Sequence, residues 1–537
     1  MTIGYLALVL HAHLPYVRHP ESDYVLEEEW LFEAIIETYV PLIRMMEGFR
    51  SDGMDFKLTM TITPPLISML QDELLQERFE THLSLLEELI EKEIDRYDHN
   101  PHLKYLAEFY QQEFANARHT WETYDRDLVK AFKQFADTNN LDIITCGATH
   151  AYFPLMQMYP EAVWAQIKIA VDHYEQVFGR KPRGIWIPEC AYYNGLERML
   201  ADAGLRYFLI DGHGILYGQP RPRFGTYAPI YTESGVAAFG RDHESSHQVW
   251  SSQVGYPGDG VYREFYKDLG WEADYDYIKP YIMPNGQRKN VGIKYYKITQ
   301  KGCDLGAKEY YDPYWAREKA AEHAANFVFS RVGQISYLHD MMGRPPIVVA
   351  PYDAELFGHW WYEGPWFIDY VMRKAYYDQD TYKVTHLSEY LQENPHQQVV
   401  RPAQSSWGYK GFHEYWLNDS NRWIYQHLHK ATERMIQLSL QEPENELEEQ
   451  ALNQAVRELL LAQSSDWAFI MTTGTMVPYA VRRTKSHILR FNKLYEDIKN
   501  KTIDEKWLNK ISYLDNIFPE LDYRVYRPLT ANPKPSP

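Results

Sequence analysis

Six short apolar runs constrain the fold of this chain most strongly, because helical patterns separate most of them and polar residues or prolines follow each one. The runs cover residues 6–10, 57–63, 143–145, 184–187, 207–210 and 347–350. Strands that alternate with helices form a parallel sheet. Polar side chains gathered just after such strands are typical of a (β/α) barrel, whose active site lies at the carboxyl ends of its strands. The sequence therefore predicts an α/β fold with its functional residues at that face.

Two helical segments interrupt the alternation and predict the domain organisation. We expect a catalytic barrel at 1–83 and 140–400, an inserted helical hairpin at 84–139, and a C-terminal helical domain at 401–528. The Pro-rich end, 529–537, is expected to be a disordered tail. The segment 212–258 is rich in Gly and Pro and lacks helical periodicity. Because long loops in compact domains are usually functional, we expect this one to cover the site as a lid.

Composition excludes several classes of partner. The net charge of −19 disfavours nucleic acid, which requires a basic face. Three scattered cysteines are too few for a disulfide framework. No apolar stretch reaches the roughly 20 residues that span a bilayer, and the N-terminus lacks the basic region of a signal peptide. These features predict a cytoplasmic protein without a membrane partner.

Two segments, 186–192 and 352–361, place a carboxylate directly after a predicted strand and surround it with aromatic residues. The acids are Glu189 and Asp353, and Glu355 lies two residues beyond the second. Cleavage of a glycosidic bond needs two carboxyl groups, one of which keeps its proton near neutral pH because its pKa is raised. Aromatic rings pack on the C–H faces of sugars. The pattern indicates a sugar-cleaving site, with Glu355 as an alternative proton donor; taken alone, each acid could equally pair with an arginine.

His11 and His13, after the first apolar run, admit two interpretations. With His150 and His213 they could ligate a metal, as in zinc-dependent barrel hydrolases, or they could bind sugar hydroxyls. The sequence contains no helical zinc motif, no serine or cysteine nucleophile motif and no glycine loop for a nucleotide. It therefore predicts no cofactor and leaves a zinc-dependent barrel hydrolase open as an alternative.

Five ordered blocks resemble glycoside hydrolase family 57, and within it the 1,4-α-glucan branching enzymes. They are 11–16, 147–154, 186–192, 352–361, and 405–416 continuing to 466–467. The resemblance covers nearly the whole chain, and five blocks in order are far more specific than any one of them.

The resemblance implies an incomplete (β/α)7 barrel with a small helical insertion and a C-terminal all-helical domain. It also implies a retaining mechanism without a metal, in which Glu189 is the nucleophile and Asp353 the acid/base. A lid loop would carry a tyrosine, either Tyr227 or Tyr231. The residues implied to bind substrate are His11, His13, Trp30, His150, Arg263, Trp271, Trp360, Trp407, Trp416 and Asp466.

The implied activity is transfer of an α-1,4-glucan chain to a 6-hydroxyl, with amylose, glycogen or a starch-like polymer as donor and acceptor. A 4-α-glucanotransferase or an α-amylase would share the first half of this chemistry, since only the acceptor differs. A glucan-binding protein without turnover is a further alternative, which the presence of both acids disfavours.

Overall fold

The computed structural model describes residues 2–251 and 254–529. The chain divides into two compact units. Unit 1 comprises Met1–Met60, Met69–Ile143 and Arg241–Asn394, and unit 2 comprises Thr61–Ser68, Ile144–Gly240 and Pro395–Pro537. The expected tail at 529–537 lies, from residue 530 onward, outside the described residues.

Each of the six apolar runs forms a strand, as the sequence predicts. Residues 2–251 and 254–529 contain ten strands: β1 Gly4–Ala12, β2 Leu58–Ile62, β3 Leu141–Ile144, β4 Gly184–Trp186, β5 Tyr207–Ile210, β6 Ile230–Tyr231, β7 Ala237–Gly240, β8 Ile347–Asp353, β9 Tyr382–Val384 and β10 Gln398–Val399.

The sheet that lies mainly in unit 1 has the order β3-β2-β1-β8, and β9 also pairs with β1. Strand β1 runs parallel to β8, with Tyr5 opposite Ile347 and His11 opposite Asp353. Its residues are buried from Leu6 to Ala12. Burial on both faces is typical of a parallel strand covered by helices, and it explains the unbroken apolar run. This register places Asp353 at the carboxyl end of the sheet, beside His11.

The sheet of unit 2 has the order β10-β6-β7-β5-β4. Strands β4, β5 and β7 are parallel, whereas β6 pairs with β7 in the antiparallel sense. The carboxyl end of β4 leads directly into Pro188 and Glu189. Parallel pairing and the alternation with helices confirm the α/β fold class.

Helices make up most of the rest of the described chain. They are α1 Glu29–Ala34, α2 Val40–Ser51, α3 Pro64–Leu70, α4 Glu73–Arg96, α5 Pro101–Thr123, α6 Leu128–Asp137, α7 Pro160–Phe178, α8 Leu196–Asp202, α9 Gly212–Leu216, α10 His243–Trp250, α11 Leu269–Glu272, α12 Tyr275–Ile278, α13 Pro313–Met342, α14 Gly364–Tyr377, α15 Leu387–Glu393, α16 Trp423–Ser439, α17 Glu446–Ala462, α18 Ser465–Thr473, α19 Val477–Asn500 and α20 Glu505–Leu514.

Local signals set several helix boundaries. Asp72 caps α4 by accepting a hydrogen bond from the Leu75 amide. Asn100 caps α5 in the same way, by accepting a hydrogen bond from the Leu103 amide. Pro101 follows Asn100 at the first helical position, where a missing amide hydrogen costs nothing. Helices α16 to α20 form a C-terminal helical region, as expected. No helix in the described ranges is long and apolar enough to cross a membrane.

The segment 212–258 differs from the expected long loop. Within its described residues it contains α9, β6, β7 and α10, which irregular stretches separate. The stretch 217–229 is the longest part of it without a helix or strand. Gly and Pro residues concealed the two short strands, because strands of two and four residues are too short to show a periodic pattern.

Candidate active site

Glu189 lies in unit 2, in a 3-10 turn at Pro188–Cys190 that follows β4. Its backbone is left-handed, with φ 61° and ψ 22°, and Cys190 also has a positive φ of 49°. Residues other than glycine rarely adopt this conformation, and such strain concentrates at functional sites. The side chain is 12% exposed, so the carboxylate is screened from bulk water yet reachable.

Three side chains of unit 2 surround the Glu189 carboxylate. Trp407 donates from Nε1 to one oxygen at 2.7 Å, and Ser465 donates from its hydroxyl to the other at 3.1 Å. His150 Nδ1 lies 2.9 Å from the Ser465 oxygen and 3.7 Å from the nearer Glu189 oxygen. These contacts fix the direction of both carboxylate oxygens, which a nucleophile that attacks one carbon requires.

The structure therefore brings together three residues that the sequence analysis singled out, Glu189, His150 and Trp407. Ser465 was missed, although it directly precedes Asp466, which the resemblance implies to bind substrate. Asp466 itself is half-buried and accepts a hydrogen bond from the Ser464 hydroxyl.

Trp407 is half-buried, and its ring packs edge-on against Trp186 at a centroid distance of 5.1 Å. Trp186 and Tyr192 flank Glu189 in sequence, but both are fully buried. They therefore belong to the core and do not offer a face to a sugar, contrary to the expectation from the sequence.

Trp416 was expected to bind substrate, and in this structure its side chain is buried. Its side chain is 1% exposed and stacks on Tyr152, with ring centroids 4.3 Å apart and an interplanar angle of 18°. Tyr152 therefore covers one face of the Trp416 ring. Trp416 thus packs against the Tyr152 ring and holds it in position.

Tyr227 and Tyr231, the two candidates for the tyrosine of a lid loop, have different surroundings. Tyr231 belongs to β6 and pairs in register with Ala237 of β7 and Val399 of β10. Tyr227 lies in the irregular stretch 217–229, where its amide donates to the Phe224 carbonyl. Only Tyr227 therefore lies in a stretch that could move without breaking a sheet.

Replacement of Trp407 by phenylalanine should lower kcat by about 10- to 100-fold, because the ring remains while the donor to Glu189 is lost. KM should change less. Steady-state kinetics on the α-glucan that the resemblance implies would check this, with Trp423→Phe as a matched control at a half-buried tryptophan that begins α16. A folded Trp407→Phe enzyme with the wild-type kcat would show that the hydrogen bond has no catalytic role.

Asp353 lies in unit 1, as the last residue of β8, and is half-buried. The next residues, Ala354–Leu356, form a 3-10 turn, so the strand does not continue to Glu355. Glu355 is buried and accepts hydrogen bonds at one oxygen from the Tyr39 hydroxyl at 2.6 Å and the His13 amide at 3.0 Å. Burial raises the pKa of Glu355. Its contacts are those of a carboxyl group that holds the fold, which favours Asp353 as the acid that meets substrate.

A π-helical turn at Ile35–Tyr39, between α1 and α2, holds the chain after Asp353 in place. Tyr39 binds Glu355, the Thr38 hydroxyl accepts from the His359 amide at 3.2 Å, and Glu37 lies 3.0 Å from His359 Nδ1. Single π turns inside helices occur frequently at functional sites. Here the extra residue in the turn allows three consecutive side chains to reach one loop.

Gly358 fits against this turn because it has no side chain. Its φ is 118°, and a Cβ at this position would lie 1.8 Å from the Glu37 carbonyl oxygen. Gly358→Ala should therefore displace the loop after Asp353, with a loss of several kcal/mol of unfolding free energy and most of the activity. Thermal unfolding and kcat measure both effects.

The matched control is Gly343→Ala, because Gly343 also has a positive φ, 63°, but no neighbour within 4 Å of an added Cβ. It should lose only the roughly 1–2 kcal/mol of left-handed backbone strain. Equal losses in the two variants would show that contact with the π turn does not matter.

Arg263 was expected to bind substrate, but the structure buries it. Its guanidinium lies 2.6 Å from Glu37 and 3.7 Å from the centre of the Tyr362 ring, and its amide donates to Glu363. Burial alone would raise the pKa of Glu37, but Arg263 and His359 lower it to about 2. In this structure Arg263 anchors the π turn through Glu37, and its role in binding substrate stays a prediction.

Three further tryptophans that the resemblance implies to bind substrate also belong to unit 1. Trp271 is 54% exposed and donates from Nε1 to Asn290, and Trp360 is 57% exposed and stacks on Phe265 at 4.9 Å. Trp30 is half-buried. Trp271 and Trp360 therefore offer open ring surface of the kind that packs on sugars.

His11 is in β1, and His13 directly follows the end of that strand. Their rings stack at a centroid distance of 5.8 Å, and His11 is buried beside Asp353 in the sheet register.

Comparison with known proteins identifies the family. The model described as glycosyl hydrolase family 57 matches residues 7–404. The chain belongs to this family. A second model, described as the C-terminal part of 1,4-alpha-glucan branching enzymes, matches residues 427–526. The family 57 match spans both acids, and the second spans most of the C-terminal helices.

Three similar proteins are informative. A curated 1,4-alpha-glucan branching enzyme of Thermococcus kodakarensis is 34% identical over 550 residues, which cover 96% of this chain and 77% of that protein. The structure of a branching enzyme from Pyrococcus horikoshii has 33% identity and a TM-score of 0.87, covering 99% and 98% of the two chains. The structure of the alpha-amylase AmyC from Thermotoga maritima has 47% identity and a TM-score of 0.93, covering 99% and 100%.

Proposed function

We propose that this family 57 protein is a retaining 1,4-α-glucan branching enzyme. The observation that carries the proposal is the match of residues 427–526 to the C-terminal region of branching enzymes. Similarity to two branching enzymes, over 96% and 99% of this chain, supports it. Its substrate class is α-glucan, and the polymer is proposed to be amylose, glycogen or a starch-like chain that serves as both donor and acceptor.

In the proposed reaction, Glu189 attacks C1 of an α-1,4-linked glucose while Asp353 protonates the departing oxygen. The C1–O4 bond breaks, and a β-linked glucosyl ester forms on Glu189. Asp353, now a carboxylate, removes the proton from the 6-hydroxyl of an acceptor chain. That oxygen attacks C1, the ester bond breaks, and Glu189 is released. Two inversions leave the new α-1,6 linkage with retained configuration.

The contacts of Glu189, Asp353 and Glu355 support this assignment of roles. Glu189 is directed by Trp407 and Ser465, as a nucleophile must be. Asp353 is half-buried at a strand end, whereas Glu355 is committed to Tyr39 and His13.

An α-amylase is the second candidate, because a structure with 47% identity is that of an alpha-amylase. The two activities share the glucosyl ester and differ in whether water or a 6-hydroxyl resolves it. The segment around Tyr227 is proposed as the lid that disfavours water, and Trp407 as a surface that orients glucan. The zinc-dependent hydrolase is not favoured by any of the similar proteins.

The deciding experiment incubates purified protein with amylose and counts reducing ends before and after treatment with a debranching enzyme. A branching enzyme creates chains that appear only after debranching, with few reducing ends before it. Reducing ends that rise equally in both samples would assign the protein as an α-amylase. A changed distribution of α-1,4 chain lengths, with no new branches and no increase in reducing ends, would identify the protein as a 4-α-glucanotransferase.

Several finer features stay predictions from the sequence and the family. They are the incomplete seven-stranded barrel, the domain boundaries at 83, 139 and 400, the cytoplasmic location, and the sugar-binding roles of His11, His13, His150, Trp30, Trp271, Trp360 and Asp466.

A further inference from the structure

A groove of about 680 Å³ lies within unit 1, where the first turns of α13 face the chain around Tyr310. Its volume falls in the range of ligand-binding sites. None of its lining residues belongs to the proposed catalytic or substrate-binding set. The groove is therefore a separate feature of unit 1 and needs its own explanation.

Two exposed aromatic side chains line this groove. Trp315 is 61% exposed and Tyr310 is 45% exposed. Isolated apolar residues are common on protein surfaces, but a groove that carries both an exposed tryptophan and an exposed tyrosine is not explained by packing.

Local structure holds both rings in place. Asp312 caps α13 by accepting from the Tyr314 amide at 3.0 Å, and Pro313 follows at the first helical position, which fixes the backbone of the first turn. The Trp315 ring packs edge-on against Tyr314 at a centroid distance of 5.2 Å. Tyr310 pairs with Tyr296 in an antiparallel bridge, and their rings lie 5.2 Å apart. The groove thus presents two preordered rings, which lowers the entropy cost of binding.

The charges along the groove cancel. Three lysines and three carboxylates line it. Lys319 forms an ion pair with Glu322 in the groove, and Lys297 forms one with Glu309, which does not line the groove. A nucleic acid or another polyanion would require an excess of positive charge, and a cation would require an excess of carboxylates. The lining residues are Val261, Lys297, Tyr310, Asp312, Trp315, Glu318, Lys319, Ala321, Glu322, Ala325 and Lys374.

We propose that this groove binds a segment of α-glucan chain, as a second carbohydrate site in addition to the one that performs the reaction. Trp315 and Tyr310 would pack on the C–H faces of glucose units, and the balanced lysines and carboxylates would donate to and accept from hydroxyl groups. The inference rests on the proposed function in one respect, namely that the polymer is an α-glucan. Such a site would keep the enzyme on a large polymer between successive reactions.

The test measures binding of the full chain to glycogen by affinity electrophoresis, for the wild type, Trp315→Ala and the double variant Trp315→Ala/Tyr310→Ala. Loss of one or two stacking contacts should weaken binding about three- to tenfold. Activity on glycogen at low concentration should fall in parallel, while kcat on a short maltooligosaccharide should stay at the wild-type value. The control is Phe329→Ala, at a residue of α13 that is 78% exposed and does not line the groove.

The outcomes separate this inference from the proposed function. Unchanged glycogen binding in folded Trp315 and Tyr310 variants would overturn the second site, even if the enzyme branches amylose. Equal weakening by Phe329→Ala would also overturn it. A change in the oligomeric state of the groove variants, with glycogen binding intact, would assign the groove to protein contacts instead. If the protein only hydrolyses glucan but its glycogen binding still depends on Trp315 and Tyr310, the second site would be supported and the proposed branching activity would be wrong.

Discussion

Glu189→Gln should lower turnover of α-1,4-glucan by several powers of ten, because glutamine cannot form the glucosyl ester on which both halves of the reaction depend. The substitution is nearly isosteric, and the amide oxygen can still accept a hydrogen bond from Trp407 or Ser465. The fold should therefore survive. Release of reducing ends and formation of branches, both measured on amylose, should fall together.

Ser465→Ala is the matched control for this substitution, because it removes a hydroxyl donor to Glu189 and leaves the carboxylate. It should reduce kcat by about tenfold, far less than Glu189→Gln. Thermal unfolding of both variants checks that neither has lost its structure. A folded Glu189→Gln protein with near-normal activity would contradict the role of Glu189 as nucleophile.

Asp353→Ala should lose nearly all activity on amylose but retain the first step on a maltooligosyl fluoride, because fluoride departs without a proton. The glucosyl ester should then accumulate, since no base activates the acceptor. Azide, which needs no base, should resolve it and restore turnover. Because Glu189 occupies the β face of C1 in the ester, azide must attack the α face, and the product should be the α-glycosyl azide.

The configuration of the azide product, read by NMR, separates the two acids. Glu189→Gly should use azide in place of its own carboxylate and give the β-glycosyl azide from an α-fluoride. Glu355→Gln, a change at the buried neighbour, should show no azide rescue of either kind. A β-azide from Asp353→Ala would mean that the roles of Glu189 and Asp353 are reversed.

The strand ends of this protein could be predicted from sequence because their signal is local. A short apolar run, a polar residue and a following helical pattern lie within a few positions of each other, so 184–187 and 347–350 indicate where Glu189 and Asp353 leave the sheets. The family resemblance then added roles that local patterns leave open, such as the choice between a catalytic and a structural carboxylate at each position.

The exposure of aromatic and charged side chains could not be predicted, because distant residues determine it. Trp416 is covered by Tyr152, which lies 264 positions earlier in the chain. Arg263 is buried by Glu37, 226 positions away. The sequence around Trp416 contains Gly and Ser, and the sequence around Arg263 is mixed, so neither reveals what packs against the side chain.

The π turn at Ile35–Tyr39 was also missed in the sequence. Residues 29–51 form a nearly continuous run of helix, and Pro41, two positions after the π turn, is the local mark of the interruption. The acid and hydroxyl groups at Glu37, Thr38 and Tyr39 therefore seemed ordinary members of a helix. Their purpose becomes evident only from their contacts with Glu355 and His359.

The most direct test of the central claim is to trap the covalent intermediate on the wild-type enzyme with a fluorinated maltooligosyl fluoride whose ester hydrolyses slowly. Proteolysis and mass spectrometry then locate the added sugar. We expect one sugar chain per protein, on the peptide that contains Glu189, and its release when a maltooligosaccharide acceptor is added. A sugar on Asp353, Glu355 or another residue, or rapid turnover of amylose by an enzyme that never carries the label, would contradict the account.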